Sequence, residues 1–166
     1  KHRLGNTINL RETAAYVNSI QRDKLTGLYD RETFFSKSEE LIAAHEPGHY
    51  VMACFNINNF KFFNDQYGNA VGDEILKKLA EIFRSGFDEA GGICSRIMAD
   101  NFAVLYPYEF MNSEGLADIR QAASKPIKAV QAISFSIGRY IITDLSLSTS
   151  AMYDRAAIAQ ASVKAR

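Results

Sequence analysis

Polar side chains crowd one short stretch of this 166-residue chain, from Asn56 to Asp73. Asn56, Asn58, Asn59, Lys61, Asn64, Asp65 and Asp73 all fall there, and the stretch follows directly on the apolar run Tyr50 to Ile57. Ligand sites favour such strand ends, where the backbone is fixed and side chains reach solvent. An Asn amide near a carboxylate suits a purine edge, because guanine offers N–H donors to an Asp and a carbonyl to an Asn NH2. Lys61 would meet a phosphate as a point charge. The same residue types are also what helix caps and turns require, and spacing alone favours that plainer role.

A second patch is the turn Ala99-Asp100-Asn101 between two β-forming runs. One carboxylate at a hairpin tip is ordinarily a turn residue. It becomes a ligand for Mg2+ only if a neighbouring strand end brings another carboxylate beside it, since Mg2+ takes hard oxygen donors. Asn56 is the residue placed to be that neighbour, and it is an amide. His2, His45 and His49 lack paired metal-ligand spacing and read as surface residues. No Ser or Cys carries a nucleophile signature, and there is no phosphate-cradling glycine loop.

The elements that must position these patches follow from periodicity. Residues 1 to 22 carry Leu4, Ile8, Leu10, Tyr16, Val17 and Ile20 at helical spacing, a stripe too thin to bury alone. It would pack on its own domain, or pair with a second copy as a signalling linker. Asp30 caps a helix with Phe34, Phe35, Leu41 and Ile42 on one face, ended by Pro47-Gly48. Tyr50 to Ile57 reads as a strand buried on both faces. A helix from Gly72-Asp73 presents Ile75, Leu76, Leu79, Ile82 and Phe83 on one side. Ile93–Ile97 and Phe102–Tyr106 form a hairpin, residues 113 to 124 a helix, 133 to about 142 a half-buried strand, and 150 to 165 a last helix. Helices packed on a sheet with an antiparallel hairpin make an α+β, ferredoxin-like domain.

Composition bounds the rest. Hydrophobic residues make up 47% and charged residues 23%, as in ordinary globular domains. Nineteen basic residues balance nineteen acidic ones, which excludes the broad positive field of general nucleic-acid binders. No apolar run approaches the ~20 residues of a membrane span. Cys54 and Cys94 sit in apolar stretches as small core residues of a reducing compartment. With no signal-peptide pattern and an opening Lys1-His2-Arg3 lacking Met, a cytoplasmic segment of a longer protein is expected, its parent free to be membrane-anchored elsewhere.

Read as a whole, the chain from Asp23 to Lys164 resembles a GGDEF domain, the diguanylate cyclase family that joins two GTP into cyclic di-GMP. Asp23-Lys24-Leu25-Thr26-Gly27-Leu28-Tyr29-Asp30-Arg31 is similar to the family's D-x-L-T-G-L-x-N-R. Residues Asn56 to Asp73 resemble D-x-D-x-F-K-x-x-N-D-x-x-G-H-x-x-G-D, and Arg96-Ile97-Met98-Ala99-Asp100-Asn101-Phe102 lies where R-x-G-G-D-E-F belongs. Ser136-Ile137-Gly138 matches S-x-G, and Lys164 falls at the lysine of the closing A-L-Y-x-A-K.

The resemblance implies a nucleotidyl-cyclase-like, mostly antiparallel sheet flanked by helices, occupying residues 23–166 behind a linker helix at 1–22. It makes Asn64 and Asp73 guanine-reading positions, and Lys61 and Lys164 phosphate contacts. Two metal positions fall at Asn56, where the family has Asp, and at Asp100; Asn101 replaces the acidic residue that follows. The signature glycines are Met98 and Ala99. A neutral amide cannot offset the charge of a metal–triphosphate complex as a carboxylate does, so Mg2+ is doubtful as a cofactor and no catalytic residue is expected to be competent. Glu89-Ala90-Gly91-Gly92 stands where an Arg-x-x-Asp product-binding motif would lie.

The expectation is a degenerate signalling module of the cyclic di-GMP system. It would take GTP weakly or not at all, form a homodimer, and regulate neighbouring sensor and phosphodiesterase-type domains. The alternatives are a weakly active cyclase in which Asp100 and backbone carbonyls hold the metal, and a ligand-free dimerisation module.

Overall fold

The computed structural model describes residues 21–125 and 133–164, so the helix expected over residues 1 to 22 lies outside the described residues except at its end, where residues 21 and 22 are not helical and Arg22 bridges Tyr29. Its elements are α1 (Arg31–Ala43), β1 (Tyr50–Ile57), α2 (Phe60–Tyr67), α3 (Asn69–Glu89), β2 (Ile93–Met98), β3 (Asn101–Pro107), a 3-10 turn (Tyr108–Phe110), α4 (Glu114–Ser124), β4 (Phe135–Ile141) and α5 (Thr149–Lys164). The four strands form one sheet in the order β2-β3-β1-β4, with every neighbouring pair antiparallel. This is the α+β, nucleotidyl-cyclase-like arrangement.

All eight positions of β1 are buried, because it is an inner strand with helices over both faces. Side chains alternate across a strand, so its residues divide between two cores. Val51, Ala53, Phe55 and Ile57 join Ile75, Leu79, Phe83 and Phe87 of α3 with Phe102, Val104 and Tyr106 of β3. Met52 and Cys54 pack on the other side with Phe34 and Ile42 of α1 and with Met152, Tyr153 and Ala156 of α5. Cys54 and Cys94 are both buried and form no disulfide, and desolvation, helped by the charge of Asp88, pushes the Cys94 thiol up to about 12. A thiol so held is chemically inert at neutral pH.

Local signals set the helix starts. Asp30 caps α1 by accepting from the Thr33 amide at 2.9 Å, and Ser113 caps α4 by accepting from the Leu116 amide at 3.2 Å. The expected face of α1 is narrower than its apolar residues suggested: Phe34, Ser38 and Ile42 are buried, while Phe35 and Leu41 are only partly so. The helix expected from Gly72 begins at Asn69, because a single residue, Gly68, separates it from α2.

The last helix is poor in large apolar groups for a geometric reason. A Cβ at Gly138 of β4 would overlap Ala156 O and Gln160 N of α5, so helix backbone lies directly on strand backbone. Small residues permit that approach, and the facing atoms are main chain that cannot rotate away. Gly138→Ala is therefore expected to lower stability by about 1–3 kcal/mol or more, as overpacking does, and urea denaturation should show an earlier midpoint with an unchanged slope.

Candidate functional site

The antiparallel register of β1 and β3 places Asn56 opposite Asn101, beside the turn that joins β2 to β3. Asn56 is 8% exposed, and its carboxamide Nδ2 donates to Asp100 Oδ2 at 2.9 Å and to Asn101 Oδ1 at 2.6 Å. The orientation of the amide is fixed by its neighbour, because a carboxylate can only accept. Both N–H bonds therefore point at the turn's oxygens.

The turn is two residues long, Ala99 and Asp100, between the paired Met98 and Asn101. Ala99 has φ +47°, in the left-handed region that glycine adopts freely and alanine does not. Arg96 holds it there: its Nε donates to Ala99 O at 2.8 Å. The same guanidinium reaches Asp23 in the loop before α1, with Nη1 3.3 Å from both carboxylate oxygens. Asp23 also accepts from the Thr26 amide at 2.9 Å and the Thr26 hydroxyl at 2.7 Å. Burial alone would raise the Asp23 carboxyl, but the Thr26 bonds and Arg96 together outweigh it and hold it below the ordinary value. Met98 carries its side chain 62% exposed.

Asn64 lies on α2 and Asp73 on α3, two helices joined at the single residue Gly68. Gly72 is buried against Asn64, and a Cβ there would overlap Asn64 Oδ1 and lie 3.3 Å from Phe60 Cζ. That Oδ1 is buried with no hydrogen-bond partner among the described residues. Asp73 and Lys61 are exposed, and the side chain of Lys164 lies outside the described residues. A cavity of about 240 Å³ opens beside α2, lined by Ile57, Phe60, Phe63, Tyr67 and Ile133 among others, but by none of Asn56, Asn64, Asp73 and Asp100. Asn58 is spent on structure, donating to Ser134 Oγ at 2.9 Å and accepting from Ser136 Oγ at 2.6 Å.

Two features went unassigned in the sequence. Arg96 stood inside the signature motif without a role, and nothing near it in sequence announces Asp23 as its partner. The family motif marks Asn101 only as a lost acid, whereas in the structure it is the second acceptor for Asn56.

These residues do not fit Mg2+. A divalent ion is held by oxygens, and one carboxylate stands where the family motif has two. The third side chain turns its N–H bonds, not its oxygen, toward both acceptors. Among the described residues no group of three or more His, Cys, Asp or Glu is placed to hold a metal ion.

An antiparallel sheet between helices, with a tight β2–β3 turn facing the end of β1, defines a nucleotidyl-cyclase-like domain. The family "Diguanylate cyclase, GGDEF domain" matches residues 20–166, and the chain belongs to that family. "Probable diguanylate cyclase DgcI" of Escherichia coli is 34% identical over 98 residues, covering 59% of this chain and 21% of that protein. "Probable diguanylate cyclase DgcT" of the same organism is 26% identical over 144 residues, covering 82% of this chain and 32% of that protein. The chain thus spans a third or less of either relative. Among solved structures, the coiled coil and GGDEF domain of DgcB from Caulobacter crescentus, in complex with c-di-GMP, superposes with TM-score 0.73 at 24% identity, covering 98% of this chain and 91% of that one. The FimX GGDEF domain of Pseudomonas aeruginosa superposes with TM-score 0.70 at 19% identity, covering 86% and 92%. No helix among the described residues is long and apolar enough to cross a membrane.

The turn and its anchor yield two expectations. Ala99→Gly relieves a left-handed alanine, worth about 1–2 kcal/mol, against a glycine entropy cost of about 0.5–1 kcal/mol. The variant should be more stable by roughly 0.5–1 kcal/mol in urea unfolding; a destabilised variant contradicts the strain. Asp23, with its folded value lowered, contributes stability that is complete above the ordinary carboxyl value and lost as pH falls through the lowered one. Asp23→Asn should flatten the acid limb of a stability–pH curve, and an unchanged limb contradicts the assignment.

Proposed function

We propose that this chain is a regulatory GGDEF domain of cyclic di-GMP signalling that has lost cyclase turnover, retains a guanine-binding position, and acts on neighbouring sensor or phosphodiesterase-type domains in a longer protein. The observation that carries this reading is the Asn56 carboxamide, hydrogen-bonded to both Asp100 and Asn101. Joining two GTP requires a cation to offset charge as the leaving pyrophosphate develops, a contribution of several kcal/mol. With one of two ligand carboxylates replaced by an inward-facing amide, that contribution is gone.

The guanine half of the site is better kept. Asn64 and Asp73 stand on two helices brought together over Gly72, and the exposed Lys61 makes no hydrogen bond or ion pair among the described residues. Such a site is suited to weak, base-directed binding of GTP. A receptor role for the cyclic dinucleotide is disfavoured by charge. Glu89, at the head of the missing Arg-x-x-Asp motif, borders an open groove between α3 and α4 together with Glu81 and Asp118. Three carboxylates would repel a dianion. Residues 1–22 would serve as the linker through which a dimer passes its signal, and residues 23–166 as the domain that receives it.

A weak cyclase is the second reading, favoured by the names of the two Escherichia coli relatives. Incubation with GTP and Mg2+ or Mn2+, followed by chromatography, separates the two. No cyclic di-GMP is expected; product that disappears in Asp100→Ala would install the cyclase reading instead. In calorimetry with GTP, Asn64→Ala and Asp73→Ala should each weaken binding about tenfold, the worth of one hydrogen bond to a charged or base edge.

A further inference from the structure

The turn between β2 and β3 carries more than a missing ligand. Where a cation would neutralise Asp100, the buried carboxamide of Asn56 supplies two N–H donors at 2.9 and 2.6 Å. A cation entering here would meet the positive end of the amide dipole. It could enter only by turning or expelling that group, breaking both of its bonds to the turn. The rest of the turn is held by metal-free contacts as well, through Arg96 to Ala99 O and to Asp23. Arg96 thus fixes the turn's backbone, and Asn56 its side-chain oxygens.

We infer that Asn56 closes the β2–β3 turn as an uncharged substitute for a divalent cation, so that the turn is ordered without metal and is indifferent to it. The inference deepens the function proposed above and rests on its reading of the turn. It fails separately, however: turnover of GTP would defeat that function, whereas a metal response of the unliganded chain defeats this one.

Thermal unfolding of the full chain without nucleotide, in EDTA and in millimolar Mg2+ or Mn2+, is the test. The wild-type midpoint should be the same in all three to within about 1 °C. In Asn56→Asp, two carboxylates would face each other across the turn with no N–H between them. Its midpoint should fall by about 4 °C or more in EDTA and recover at least half of that loss in Mn2+. Asn56→Ala removes the bonds without creating a ligand, and should be destabilised with no recovery. A wild-type midpoint that rises by several degrees in Mg2+ overturns the inference. So does an Asn56→Asp chain as stable in EDTA as the wild type. Should Asn56→Asp fail to fold, the wild-type comparison alone still decides.

Discussion

A carboxylate at the tip of a tight turn, next to the end of a fully buried strand, must have its charge met by something. In this chain it is met by an amide. The Asn56–Asp100 hydrogen bond spans 44 residues of sequence and joins the central strand to the turn. A hydrogen bond to a charged group in a partly buried place is worth more than its neutral counterpart. It also carries direction, since the two N–H bonds of one carboxamide fix the positions of both Asp100 and Asn101. The rest of the site is arranged around that pair.

The sheet makes the pair possible. Asn56 lies opposite Asn101 because Met52, Cys54 and their neighbours on β1 are locked in register against β3 by two cores, one under each face. A slip by one residue would turn every apolar side chain of β1 to the wrong core. The register is therefore overdetermined, and the polar residues at the strand end inherit its precision. Arg96 adds an independent brace from the loop before α1, which is why an alanine can persist at φ +47°. Strain of that kind survives only where the surroundings leave no alternative.

Much of this is legible in the amino-acid sequence. The apolar run of β1, the amphipathic α3 and the two β-runs of the hairpin each carry a period that admits one reading, and Asn56 could be placed near Asp100 from strand ends alone. What could not be seen depends on geometry that spacing does not encode. The start of α3 at Asn69 depends on whether Gly68 breaks the chain for one residue or several. The sparse apolar content of α5 looks like a weak helix until Gly138 shows main chain packed on main chain. The left-handed φ at Ala99 is hidden because alanine does not announce it, whereas the glycine that the family motif has at that position would. The Arg96–Asp23 pair joins residues 73 apart, beyond any local pattern.

The loss of the signature glycines and the first metal carboxylate has thus left the fold intact, and the physical reason is a separation of roles. The two cores hold the sheet through apolar contacts in which Asn56, Asp100 and Asn101 take no part. The turn is closed by side chains that belong to the motif but do not need its metal chemistry. An acid replaced by its own amide keeps shape and exchanges two acceptor oxygens for an acceptor and a double donor. That exchange is poor for a cation and favourable for the neighbouring carboxylate, so on the proposed reading one substitution would remove both the need for the ion and the means to bind it. On the proposed reading, turnover and the closure of the turn would be separated at that one side chain.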